Sequence, residues 1–128
     1  LRRSSVLRTL DDRIEVLPSS VTREKVEESL TSMPRWIVIL DNALPVTMLP
    51  GTDLTRALSE NLEQREFNLL EIPALRREVI PTQSRVTQQH ALSLMQAQQM
   101  DALAIMDNQR VIGIVTREDI EAHYRYSG

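Results

Sequence analysis

The sequence predicts an α+β fold in which one small unit, strand–helix–strand–strand–helix, occurs twice and the two small sheets pack together. Three observations carry this. First, "WIVILDNALPVTMLPGTDL" lies over "ALAIMDNQRVIGIVTREDI" without a gap, so that Asp41 meets Asp107 and Asp53 meets Asp119, each pair 66 residues apart. Second, "EVLPSSVT" (Glu15 to Thr22) resembles "EVIPTQSRVT" (Glu78 to Thr87), with two residues more in the second copy. Third, apolar runs, turn residues and helical spacings follow in the same order in both copies. Neither copy alone has enough apolar surface for an independent core in a chain of 128 residues, hence the expected packing of one on the other.

Each element has a local reason. "EVLP" and "EVIP" read as short strands ending at proline, which cannot donate to a ladder. Thr22 and Thr87 stand as N-caps of the helices that follow. Val26, Leu30 and Met33 fall at helical spacing in the first copy, and Ala91, Leu94, Met95 and Gln98 in the second. "WIVIL" with "PVTML", and "ALAIM" with "VIGIV", read as hairpins, because Asp-Asn-x-x favours turns by bonding nearby backbone. A second helix closes each copy, at about 52–66 and about 116–124. The domains are accordingly 14–66 for the first copy and 74–126 for the second. A connecting segment, 67–73 ("FNLLEIP"), is expected to be partly extended. A basic N-terminal segment, 1–13, precedes them.

Composition narrows the function. With 41% hydrophobic and 26% charged residues the chain is not generally disordered. A net charge of −3 and only four aromatics (Trp36, Phe67, Tyr124, Tyr126) argue against nucleic acid, which asks for a basic face or stacking surfaces. The absence of cysteine removes disulfides, thiolate chemistry and cysteine-type zinc sites. The longest apolar run, "WIVIL", is strand-sized rather than membrane-spanning, and no signal peptide is visible. A start at Leu1 without methionine is what a fragment of a larger protein would show.

The chemistry-bearing stretch is "VIGIVTREDI", Val111 to Ile120. In purely local terms Thr116 is an N-cap and Asp119 lies in the first helical turn, close to a capping box. Such a cap contributes about 1 kcal/mol and needs no ligand. The same residues suit a ligand equally well. A carboxylate accepts both hydroxyls of a diol, and a phosphate near Thr116 would face free N–H groups at a helix start. Gly113 removes a side chain where a ligand or a neighbouring backbone comes close. Both readings stand at this point. His90 and His123 lack metal-ligand spacing and read as surface or partly packed residues, and Glu24 and Glu28 as helix-surface charges at i, i+4. No phosphate-binding loop, nucleophile elbow or HExxH helix is present, so no catalytic residue and no metal are expected, and the chain is not expected to be an enzyme.

These residues carry a family resemblance. Two such units in tandem resemble a pair of cystathionine-β-synthase (CBS) domains, and "MDALAIMDNQRVIGIVTREDI" is similar to the family's most recognisable segment. The resemblance runs from about Ile14 to Tyr126, stronger in the second copy. Within the family, "NLLEIPALRREVIP", "VTQQHALSLM" and "GIVTREDIEAHYR" look like the cytoplasmic C-terminal CBS pair of bacterial ClC-type chloride channels and transporters.

The resemblance implies a regulatory module with no required cofactor that takes an adenine nucleotide (ATP, ADP or AMP) between its copies. It also implies a homodimer, for which Ala57, Leu58, Leu62 and Met95 offer apolar surface on otherwise polar helices. A membrane-embedded channel domain would precede the chain, on the cytoplasmic face of the inner (plasma) membrane. Arg2, Arg3 and Arg8 would then satisfy the positive-inside bias, although three arginines also simply solvate a terminus. Carried over by position, Asp119 accepts from the ribose hydroxyls and Thr116 contacts phosphate. Gly113 is the motif's glycine, Thr82 meets ribose or phosphate, and Ala102 and Leu103 flank the adenine. The first copy departs from the pattern: Thr47 and Pro50 replace the glycine and threonine, Trp36 stands in the place of Ala102, and only Asp53 is retained as a weaker counterpart. The indole is expected to fill the cleft rather than stack on a base. Two other readings remain: a ligand-free dimerisation module, and the regulatory pair of a soluble enzyme whose catalytic domain is absent. The sequence upstream of Leu1 would separate the parents.

Overall fold

The structure, a computed structural model, describes residues 4–126. Arg2 and Arg3 of the basic segment therefore lie outside the described residues. The chain divides into two compact units, residues 13–77 and, among those described, residues 4–12 together with 78–126.

In the unit 13–77, β1 (Ile14–Pro18) runs parallel to β3 (Trp36–Asp41), which pairs antiparallel with β4 (Leu44–Pro50). Between them come β2 (Ser20–Thr22) and helix α1 (Arg23–Leu30); helix α2 (Gly51–Glu60) and β5 (Glu66–Asn68) follow. Alternate strand residues Leu17, Ile37, Ile39 and Leu49 face Val26 and Leu54 of the helices, and Phe67 and Leu69 complete this core. The other unit repeats the scheme after the two-residue β6 (Arg77–Glu78). There β7 (Ile80–Gln83) runs parallel to β8 (Ala102–Asp107), which pairs antiparallel with β9 (Arg110–Thr116). Helices α3 (Gln88–Gln98) and α4 (Arg117–Tyr126) supply Ala91, Met95 and Ile120 to a core with Leu103, Ile105 and Val115. This is the α+β architecture expected, with the two hairpins in place. Their two-residue turns, Asn42-Ala43 and Asn108-Gln109, all have positive φ, which suits the twist of the flanking strands.

Both N-caps form: Thr22 Oγ1 accepts from Lys25 N at 3.2 Å and Thr87 Oγ1 from His90 N at 3.1 Å. Helix ends depart from expectation. Helix α1 stops at Leu30, so Met33 lies beyond it, 87% exposed with φ 53°, instead of on the buried face. Gln98 is exposed as well. Helix α2 stops at Glu60 rather than near 66. The Asn61 amide bonds back to Ala57 O, and the guanidinium of Arg23 donates to the carbonyls of Leu58, Asn61 and Gln64. Arg23 is only 7% exposed, so a long-range buried cation closes this helix, where its negative end favours one. Ala57 and Met95 are buried in their own units and are not available to a partner; Leu58 packs partly against the core, and Leu62 alone of the four is exposed.

Strand register revises the repeat. Leu17 pairs with Ile39 and Thr82 with Ile105, which places Thr82 over Leu17, 65 residues on. Thr22 and Thr87 keep the same spacing, so no insertion separates the copies here, and "EVLP" over "EVIP" is out of step by two. Strand β7 runs through Pro81, which an edge strand tolerates.

The segments leading into each copy are also exchanged. Strand β5 pairs with β2, and Arg23 N donates to Arg65 O. In the other unit Ser5 bridges Thr87, Val6 N donates to Val86 O and Gln88 N to Ser4 O. Val6 is fully buried there, as Phe67 nearly is in its counterpart, so residues 4–12 are a structural part of the unit that carries the second copy.

Candidate functional site

The site is built on the second hairpin. Ala102 opens β8 and pairs with Thr116, the last residue of β9. Side chains alternate across the sheet, so Leu103, Ile105 and Val115 face the helices while Ala102, Ala104, Ile114 and Thr116 share the opposite face. Thr116 ends the strand and caps α4: its Oγ1 accepts from Asp119 N at 3.1 Å. Thr116 is 5% exposed; one lone pair of its hydroxyl is thus used, and its proton remains to donate. Asp119 is half-buried, and no hydrogen bond or ion pair reaches its carboxylate from the described residues.

The remaining expected residues divide. Leu103 and Ala102 are both fully buried; Leu103 faces the core, and of the pair expected beside a base only Ala102 shares a face with Thr116. Gly113 pairs with Ile105, three ladder positions from Ala102 or about 10 Å along the strand. A Cβ on Gly113 would lie 2.6 Å from Leu10 Cδ1 and 2.8 Å from Asp11 O. Asp11 and Ile114 exchange two backbone hydrogen bonds there, at 2.8 and 2.9 Å. The close approach that demands glycine is therefore made by the chain itself. Thr82 sits on the same ladder row as Gly113 and is 8% exposed; its hydroxyl donates to Ile80 O at 3.1 Å. It lines an open groove of about 530 Å³ with Gln83, Arg85, Thr87 and His90, and neither Thr116 nor Asp119 borders that groove. The structure thus gathers Ala102, Thr116 and Asp119, and sets Thr82 and Gly113 apart from them.

In the first copy Trp36 pairs with Pro50 as Ala102 does with Thr116. Pro50 supplies no side-chain cap to α2. Asp53 is 4% exposed and fully engaged, one oxygen accepting from Leu75 N at 2.8 Å and the other paired with Arg56. Trp36 is 7% exposed, with the guanidinium carbons of Arg35 and Arg77 each 5.5 Å from its ring centroid. Its Nε1 is buried without a hydrogen-bond partner among the described residues. Thr47 donates to Arg77 O at 3.0 Å. The indole is thus buried within its own unit.

Sequence reasoning missed Leu75 and Arg77, which reach these residues from 22 and 41 positions away in sequence, and no local signal marks them. His90 is exposed, and His123 packs 6.3 Å from the Tyr124 ring; among the described residues no group of histidine and acidic side chains has metal-binding geometry. No helix of the described residues is long and apolar enough to cross a membrane.

Residues 70–125 match the family model of the CBS domain. No curated protein matches the chain. Several solved structures do. The CBS domain pair of protein MJ0100, solved with 5′-methylthioadenosine and S-adenosyl-L-methionine, is 22% identical, with a TM-score of 0.56 over 94% of this chain and 99% of that one. The CBS domain of a putative transporter from Clostridium difficile 630 is 16% identical, with a TM-score of 0.65 over 98% and 97%. The CBS domain of the bacterial CNNM/CorC family Mg2+ transporter, solved with ATP, is 14% identical, with a TM-score of 0.55 over 92% and 84%. At these identities the likeness is one of fold.

Proposed function

From a chain that has the fold of a tandem CBS-domain pair, with residues 70–125 matching the CBS domain itself, we propose a regulatory module that takes one adenine nucleotide at Thr116 and Asp119 of its second copy. One observation carries this reading: Asp119 holds a half-buried carboxylate without a partner among the described residues, beside a threonine hydroxyl at a helix start. Left to water, such a group is a ready acceptor for a ribose diol, and the N–H groups of the first turn of α4 favour phosphate. Adenine-containing ligands in the solved CBS domain pair of MJ0100 and CBS domain of the Mg2+ transporter support that ligand class.

The parent we propose is a ClC-type chloride channel or transporter, which this chain would serve as a homodimeric module at the cytoplasmic face of the membrane, without catalysis of its own. The support is the likeness of "NLLEIPALRREVIP" and "GIVTREDIEAHYR" to that subfamily, together with transporter modules among the similar folds. Calorimetric titration with ATP, ADP and AMP tests the nucleotide reading. Binding that Asp119→Ala weakens more than about tenfold supports it, since one charge-assisted hydrogen bond is worth roughly 1.5–3 kcal/mol. Absence of binding below about millimolar, an affinity of roughly −4 kcal/mol, leaves a ligand-free module instead.

A further inference from the structure

The first copy holds its own chain where the second holds an open acceptor. The stretch from Leu69 to Arg77 is tied into the unit 13–77 at several points. Leu69 is in the core, and Ile72 and Ala74 pack against it. The Arg76 guanidinium folds back on the carbonyls of Leu69 and Ile72, at 3.1 and 2.5 Å. Leu75 then gives its N–H to Asp53, and Arg77 lays its guanidinium over Trp36 while its carbonyl accepts from Thr47. Leu75 itself is 82% exposed, so its backbone rather than its side chain is what the unit uses.

We infer that residues 75–77 are an internal strap that acts as a pseudo-ligand: the Leu75 amide fills the acceptor position on Asp53, and the Arg77 guanidinium fills the stacking position on Trp36, closing the first copy to nucleotide. This rests on the proposed reading of Thr116 and Asp119, whose counterparts in the repeat are Pro50 and Asp53. The chemistry of the substitution is direct. An amide donor satisfies a carboxylate as a hydroxyl does, and a planar cation over an indole face occupies the surface a base would stack on. The chain therefore takes one nucleotide, and displacing the strap uncovers a second site.

Trp36 is the sole tryptophan, so its emission reports on this position alone. AMP is titrated into the full chain, into Arg77→Ala, and into Arg77→Ala combined with Leu75→Pro, which lacks the strap's N–H. Calorimetry records stoichiometry and circular dichroism the fold. The wild type should bind one AMP per chain, sensitive to Asp119→Ala, with Trp36 emission unchanged at saturation. In the strap variants AMP should quench Trp36, and acrylamide should reach it at least about twofold more readily, as a locally opened segment allows. That quenching should survive Asp119→Ala. Should the double variant fail to fold, Arg77→Ala alone decides, because it keeps every backbone bond of the strap. Quenching of wild-type Trp36 by AMP overturns the inference, and so does a folded Arg77→Ala variant in which AMP leaves Trp36 unchanged. Binding to the wild type that depends on Asp119 reports the second copy separately, so either failure is assigned to its own claim.

Discussion

Helices α2 and α4 begin at the same place in their units, two residues before an aspartate, yet the two aspartates have opposite surroundings. Asp53 is almost fully buried and takes a backbone amide and a guanidinium; Asp119 is half-buried and takes nothing from the described residues. A carboxylate removed from water must find partners, whereas one that keeps part of its hydration need not. The caps differ in the same sense, since Thr116 bonds the first turn of α4 and Pro50 gives α2 no side chain to do so. Trp36 and Ala102 hold the equivalent position and are both buried, one with an indole and the other with a methyl group. What a first-turn aspartate does is thus decided by its neighbours, here the distant Leu75 amide and Arg56 one turn on, and not by the aspartate's place at the helix start.

The largest expected effect compares the first helices of the two units. Arg23 and Gln88 are both the first residue of their helix and both buried, but Arg23 donates to three carbonyls and Gln88 to Ser5 O alone. Arg23→Ala should cost about 3 kcal/mol in urea unfolding, since it deprives three carbonyls of a charged donor. Gln88→Ala should cost about 1 kcal/mol, and equal losses would break the contrast.

Next come the aspartates. Asp53→Ala leaves the Leu75 amide unsatisfied and should cost about 2 kcal/mol of stability, while leaving nucleotide affinity untouched. Asp119→Ala should cost less than about 1 kcal/mol of stability, the helix-dipole contribution, yet lower affinity more than about tenfold. Paired melts and titrations of the two variants would show whether stability and binding separate in this way.

A smaller effect is expected at the close approach beside β9. Gly113→Ala must push Leu10 or Asp11 aside and should lose about 1–2 kcal/mol, whereas Thr47→Ala removes one hydrogen bond worth about 1 kcal/mol. The smallest effect should be shared. Ala43 and Gln109 both sit at positive φ in their turns, so Ala43→Gly and Gln109→Gly should each raise stability by roughly 0.5–1 kcal/mol in thermal melts. A gain in one hairpin alone would show that the turns are less alike than their dihedral angles.

These comparisons also mark where sequence reading reaches. Hairpins and N-caps are legible because their causes lie within four residues: Asp-Asn at a turn, threonine before a helix. The end of α2 is not, because the residue that closes it, Arg23, is 35 to 41 positions away from the carbonyls it holds. Matching the prolines of "EVLP" and "EVIP" puts the copies out of step by two, since strand register is set by pairing with β3 and β8 rather than by proline. Ala102, Thr116 and Asp119 were readable as a cluster because one hairpin and its helix bring them together. Thr82 and Gly113 were expected to join them and sit three ladder positions away, in an order only the sheet reveals.

The exchanged leading segments have a mechanical consequence. The unit 13–77 is contiguous along the chain, whereas the unit with Asp119 is completed only when residues 4–12 return to it from the far end of the sequence. Tension applied at Ser4 would load the Ser5–Thr87 bridge and then the Asp11–Ile114 pair, two residues from Thr116, before it reached any residue of the contiguous unit. Whatever moves Ser4 pulls first on the cap of α3 at Thr87, and then on the strand that ends at the open carboxylate's cap.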